Sequence, residues 1–248
     1  METKPIKQEK QEPINELKLT YKIHNWDILE KFFDGIKGPM YFLDFEAITF
    51  APIAMAKNNL DLDQQLFSFS FLKVDNFADL SEKPRHYNFV GKKLNYNQMA
   101  SELSRLYVNY NAKVFVWGAE LEFKGLAKLI GHANQNYKRK LGSLIGNVID
   151  LQVLFRGQKD RIVEISPLHQ NSLSFVAKAV TGSTIDSSLN NGKKTNYVLK
   201  AFVDKKTTAY HQLKNIDDKL TKYNNSDVIH IKRILFQLHR DLLAKKPK

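Results

Sequence analysis

The sequence predicts an α/β protein, a mixed sheet covered by helices, and three observations carry that expectation. Three strand-like runs follow one another at 40–46, 66–74 and 85–90. Helical and strand-like segments then alternate from 97 to 151, and the last third of the chain reads as helix. Successive strands, then alternation, then helices is the order of a mixed sheet with helices packed on it.

Each element has its own signal. Residues 1–20 (METKPIKQEKQEPINELKLT) are polar, charged and broken by proline, so they read as a disordered tail or linker ahead of one domain over 21–248. Apolar residues from Trp26 to Phe33 recur at helical spacing behind Asn25, a residue suited to capping. The helix stops near Gly35 to Gly38. Met40 to Glu46 is an apolar strand, Leu66 to Val74 alternates Phe with Ser, and Arg85 to Val90 is a third strand. Residues 51–65 read as a loop. Asn97 to Asn109 is helical, and Lys113 to Trp117 is a short apolar run between polar residues, which reads as a buried strand. Glu120 to Ile130 places Leu121, Leu126, Leu129 and Ile130 on a helical face. Val148 to Leu151 ends another strand, and a basic stretch read as irregular follows. Ser172 to Val180 is a helix opened by a serine cap, and Ile216 to Leu243 is a long terminal helix.

The chain has 248 residues, 43% of them hydrophobic, with sixteen Phe, enough for a substantial core. Its 38 Lys and Arg against 26 Asp and Glu give a net charge of +12. Phosphate polymers are the first partners such a balance indicates, although a Lys- and Asn-rich proteome drifts basic without any ligand. The absence of cysteine excludes disulfides, thiolate metal sites and a cysteine nucleophile. No apolar run reaches the roughly 18 residues that span a membrane, and the N-terminus lacks a signal-peptide core. A cytoplasmic protein is expected.

The chemistry gathers at three places. Asp44 and Glu46 stand at i and i+2 on an apolar strand, so both point to one face. Two close carboxylates desolvate badly and repel, and a hard divalent cation resolves the conflict. Two ordinary surface acids at a strand end is the plainer alternative. Tyr223 and Asp227 lie at i and i+4 on the terminal helix, one turn apart. The stripe Val228, Ile231, Ile234, Leu235, Leu238 would hold that acid against the sheet. Glu120 and Glu122 fall in the first turn after Val116-Trp117-Gly118-Ala119, where acids also serve simply to meet the helix dipole.

Asp-x-Glu on an early strand, two acids at a strand-to-helix junction and Tyr-xxx-Asp on the last helix resemble the three motifs of the DEDD-type 3′–5′ exonucleases of the ribonuclease H-like fold. The tyrosine points to the tyrosine-containing, DEDDy-like branch. The resemblance runs from about residue 39 to 240. The second motif normally reads Asn-x-x-Phe-Asp; here Gly118, Leu121 and Glu122 stand at the three named positions. More closely, the chain is similar to an uncharacterised bacterial domain family with a Tyr-Phe-Leu-Asp-Phe-Glu opening (here 41–46), an Asn-x-x-Phe-Glu second motif, an Asp-Leu strand (Asp150-Leu151) and a Ser-Leu helix (Ser172-Leu173). In some bacteria that domain follows a Cas4-like nuclease region, which makes a fused or partner nuclease domain an expected partner.

The resemblance implies a mixed sheet of three antiparallel strands followed by parallel strands, flanked by helices. It implies a two-metal-ion hydrolase of DNA or RNA acting on a 3′ end, expected to be single-stranded, with two Mg²⁺ or Mn²⁺ held by Asp44, Glu46, Glu122 and Asp227. Asp44 would bridge the ions and Tyr223 would orient the attacking water, since a phenol of pKa near 10 is a poor base at neutral pH. Glu122 carries one methylene more than aspartate, and Glu120 is the fallback for its role. Lys138, Arg139, Lys140, Arg156, Lys159, Arg161, Lys193 and Lys194, read as loop residues, are candidates for gripping the backbone, with nearby Phe and Tyr for stacking bases. His169, His211, His230 and His239 show no metal spacing and are assigned structural roles. The alternative function is a nucleic-acid-binding domain on the same fold whose chemistry has decayed at the second motif.

Overall fold

The sheet is built by β2 (Met40–Thr49), whose two neighbours run in opposite senses. β3 (Gln64–Val74) pairs with it antiparallel, and β5 (Lys113–Val116) pairs with it parallel. β4 (Arg85–Asn88) extends the antiparallel side and β6 (Val148–Asp150) the parallel side, giving the order β4-β3-β2-β5-β6. Three antiparallel strands and then two parallel ones, flanked by helices, is the mixed sheet that the resemblance implies. The computed structural model describes residues 18–49, 64–88, 95–109, 111–157, 161–167, 171–184 and 210–245. The expected tail, apart from residues 18–20, and most of the 51–65 loop lie outside these residues.

Alternation along β2 divides the core in two. Met40 and Phe42, with Leu72, Val74 and Phe115, pack on one face beneath α1 (Trp26–Asp34), α5 (Leu173–Thr181) and α6 (Tyr210–Lys245). Tyr41, Leu43 and Phe45, with Phe69, Phe71 and Val114, pack on the other face beneath α2 (Tyr96–Leu106), α3 (Glu120–His132) and α4 (Gln135–Gly146). A central strand covered on both faces reads as a continuous apolar run, which is why 40–45 does.

The cap at Asn25 is present, its side chain accepting from the N–H of Ile28 at 3.1 Å. Ser172 occupies the N-cap of α5 without making a side-chain cap bond. Several segments differ from the sequence reading. Residues 135–146, whose Lys138, Arg139 and Lys140 the sequence reads as loop residues, form α4, capped by Asn134 and buried through Leu141 and Leu144. Its apolar stripe is narrow, so polar residues masked the period. Thr20 belongs to β1 (Thr20–Ile23), which pairs antiparallel with β7 (Val163–Ser166) in a separate two-stranded sheet. Strands this short carry too few alternations to stand out. The terminal helix begins at Tyr210, earlier than predicted, and α2 ends at Leu106 rather than 109.

The β3–β4 connection is tied to α6. Lys232 Nζ donates to the Ser81 carbonyl at 2.8 Å, Arg233 donates twice to Glu82 at 2.7 and 2.6 Å, and Phe77 stacks on His239 at 3.8 Å.

Candidate metal centre

β2 carries Asp44 and Glu46 on the α6 face of the sheet, opposite Ser70 and Ser68 of β3. A bulge between Glu46 and Ala47 follows directly, a device that bends a strand and re-aims the side chains beside it. Helix α6 crosses that face on its buried stripe of Val228, Ile231, Ile234, Leu235 and Leu238, and this brings Asp227 down onto the acids. One carboxylate oxygen each from Asp44, Glu46 and Asp227 lies within 4.8 Å of the other two. Residues 183 positions apart thus converge at one point, Asp44 and Glu46 half-buried and Asp227 7% exposed.

Glu122 stands next to this trio, in the first turn of α3 at the end of β5, and is 2% exposed. Its carboxylate accepts from its own backbone N–H and from that of Phe45. Glu120, two residues earlier, turns outward and pairs with Lys124 at 2.8 Å. Of the two acids in that turn, the structure places Glu122 against Asp44. Tyr223 lies one turn before Asp227 and is hydrogen-bonded to it, the phenol donating to the carboxylate.

The electrostatics follow from crowding four acids into a dry place. Burial pushes Asp44 up to about 7. Burial and then the Asp44 charge push Glu122 up to about 9. Glu46 and Asp227 rise well above the carboxylate range, first through burial and then through Asp44. Burial, with Asp227 beside it, raises Tyr223 far above the ordinary phenol value, so it stays protonated at neutral pH. Among the described residues no Lys or Arg pairs with any of the four acids. Asp44 Oδ2 and Glu122 Oε2 are both shut off from solvent with no hydrogen-bond partner there. Buried oxygens of this kind are uncommon, and a hard divalent cation, which binds oxygen and favours the charged carboxylate, suits both.

The junction that delivers Glu122 turns on Gly118. Gly118 has φ +76°, the left-handed region that glycine and asparagine enter most readily. Its N–H donates at 2.8 Å to Oδ1 of Asp150, which also caps the 3₁₀ turn Leu151–Phe155 by accepting from the Gln152 N–H at 3.0 Å. Glycine at 118 therefore keeps the backbone turn for which asparagine is the other natural residue.

The candidate phosphate grip is dispersed. Lys138, Arg139 and Lys140 sit on α4 rather than in a loop. Arg156 ion-pairs with Asp150 at 3.2 Å and donates to Gln152 Oε1, which puts it on the network that holds Gly118. Arg161 pairs with Glu164 at 3.2 Å. Lys159, Lys193, Lys194, His169 and the side chain of His211 lie outside the described residues. His230 is buried, its Nδ1 donating to the Ser226 carbonyl at 2.6 Å. No helix is long and apolar enough to cross a membrane among the described residues.

No curated protein matches the chain in sequence. Among solved structures it is similar to the RNase D–GMP complex of Trypanosoma brucei, at 14% identity and TM-score 0.49, over 91% of this chain and 57% of that one. It is also similar to a chain of the yeast NOT1 MIF4G domain co-crystallized with CAF1, at 11% identity and TM-score 0.42, over 71% and 81%. A third is SSB/exonuclease I in complex with an inhibitor, at 11% identity and TM-score 0.41, over 75% and 44%. The chain thus spans little more than half of the RNase D chain. A family model matches residues 41–184, a stretch that holds Asp44, Glu46 and Glu122 and ends before Tyr223 and Asp227. That match covers more than half of the sequence, and the chain belongs to the family described as Domain of unknown function (DUF2779).

Proposed function

We propose that the chain is a metal-dependent nuclease that hydrolyses phosphodiester bonds, acting as a 3′–5′ exonuclease of the tyrosine-containing DEDD type. One observation carries the reading. Carboxylates of Asp44, Glu46 and Asp227 converge within 4.8 Å on a buried sheet face, with no protein cation against them among the described residues. Such an arrangement destabilises the fold unless a ligand compensates it.

Asp44, Glu46 and Asp227 would hold Mg²⁺ or Mn²⁺, with Glu122 completing the set directly or through water. When bound, the metal supplies a more acidic water and stabilises charge on the phosphate and the leaving oxygen. The remaining roles fall to the chain itself. Tyr223 keeps its proton, so it orients and donates a hydrogen bond rather than accepting a proton. The backbone N–H groups of Phe45 and Glu122 fix the direction of the Glu122 carboxylate. Burial of the acids keeps bulk water away from the reacting phosphate. Arg156, beside the Gly118 turn, and the net charge of +12 favour a polyanionic substrate.

The test is digestion of 5′-labelled single-stranded DNA and RNA in Mn²⁺. Wild type should shorten the strands from the 3′ end. Asp44→Ala should lower the rate by about 10³-fold or more, since losing a metal ligand removes several kcal/mol of transition-state stabilisation. Equal digestion by wild type and Asp44→Ala would overturn the site assignment. Binding without cleavage by wild type would favour a decayed, purely nucleic-acid-binding domain.

A further inference from the structure

Between Tyr223 and Asp227 lie two asparagines, and the strand facing them alternates Phe with Ser; neither feature belongs to the acid cluster. Asn224 and Ser68 are both fully buried, and Asn224 Nδ2 donates to Ser68 Oγ at 2.7 Å. Ser70, also fully buried, donates through Oγ to Asn225 Oδ1 at 3.0 Å. Ser68 is the cross-strand partner of Glu46, and Ser70 that of Asp44. The two helix amides therefore grasp the two β3 residues that stand beside the two β2 acids.

We infer that Asn224 and Asn225, through Ser68 and Ser70, are positioning residues that set the register of α6 on the sheet and so the distance from Asp227 to Asp44 and Glu46. The inference rests on the metal-centre reading proposed above. C-terminal to Asp227 the helix packs on the sheet through the aliphatic side chains Val228, Ile231, Ile234, Leu235 and Leu238, and its polar ties there, Lys232 to Ser81 and Arg233 to Glu82, reach the β3–β4 connection rather than the strand positions beside the acids. Aliphatic contacts are non-directional and specify sliding weakly. A slip of one helical turn, about 5.4 Å, exceeds the 4.8 Å that now contains the three acids. Directional bonds between buried amides and hydroxyls forbid the slip, as single buried polar residues fix register elsewhere. The arrangement is not one that packing alone would favour. Asn224 Oδ1 is buried and has no partner among the described residues, and that is a cost an aliphatic side chain would avoid.

The double variant Ser68→Ala/Asn224→Leu separates register from stability, because removing both partners of a buried hydrogen bond leaves neither unsatisfied. Mn²⁺ binding by calorimetry and thermal melting in chelator are measured on the full chain, beside wild type and Asp44→Ala. The expected result is a melting temperature within about 3 °C of wild type or above it, with the Mn²⁺ dissociation constant raised at least fivefold. Ser68→Thr, which keeps the hydroxyl, should bind Mn²⁺ within twofold of wild type. An unchanged Mn²⁺ constant in the folded double variant overturns the inference while leaving the metal centre standing. If wild type binds no more Mn²⁺ than Asp44→Ala, the metal-centre reading itself fails and takes this inference with it. Should the double variant not fold, Ser70→Ala deletes one hydroxyl of the same seam. It should raise the Mn²⁺ constant at least threefold, and an unchanged constant overturns the inference.

Discussion

At the scale of single residues, the acids dominate because burial has made them protonate easily. Glu122 moves from 4.5 to about 9 and Asp44 from 3.8 to about 7, so between the ordinary carboxylate range and those values the folded chain binds more protons than the unfolded one. Stability of the cation-free protein therefore falls as pH rises through that window. Glu122→Gln cannot ionise and drops its share of the fall. In chelator, its melting temperature relative to wild type should be clearly higher at pH 8.5 than at pH 5.5; the same difference at both would show that Glu122 is not held protonated. Asp44 and Glu46 were legible in the sequence because a strand has a period of two, and Tyr223 and Asp227 because a helix returns each turn. The choice between Glu120 and Glu122 was not, since a first helical turn welcomes both acids. The partnership of Ser68 with Asn224 was also beyond reach, as it joins residues 156 positions apart.

At the scale of elements, the β5–α3 turn decides where Glu122 arrives. A β-carbon at Gly118 would meet only Gln152 Oε1, at 3.4 Å, so space is available and the strain lies in the φ of +76°. Gly118→Ala should destabilise by about 1–2 kcal/mol in urea unfolding, and Gly118→Asn by less, because asparagine tolerates the left-handed region. Equal losses for the two would contradict a backbone cause. The same turn shows why the sequence pattern was readable only in part: Gly118 departs from the asparagine of the expected pattern, and only the structure shows its left-handed backbone. Helix α4 and the β1–β7 pair escaped for a different reason. Leu141 and Leu144 are the buried residues of α4, and four-residue strands offer two alternations, so their periods are too brief to rise above the polar background.

At the scale of the whole molecule, the long α6 helix closes the fold by reaching from the acid cluster to β1, where Tyr21 donates to Asp241 at 2.5 Å. The antiparallel-then-parallel sheet order came with the family resemblance, whereas the residues themselves showed three successive strands and then an alternation of helix and strand. Net charge was legible too, and its consequence is measurable. Asp44→Ala in chelator, binding a single-stranded oligonucleotide, should show log affinity falling with log salt at a slope of about −2 to −5, as expected for about three to seven neutralised phosphates. A slope near zero would mean that the charge of +12 is not used on a phosphate backbone.

The most direct measurement is the anomalous scattering of Mn²⁺ in crystals of the full chain. A manganese peak bonded to oxygens of both Asp44 and Asp227, with Glu46 beside it, is the result expected if these acids converge to hold a cation. A saturating soak at alkaline pH that leaves the cluster without a peak, its carboxylates unchanged in place, would contradict the metal centre and the nuclease built on it.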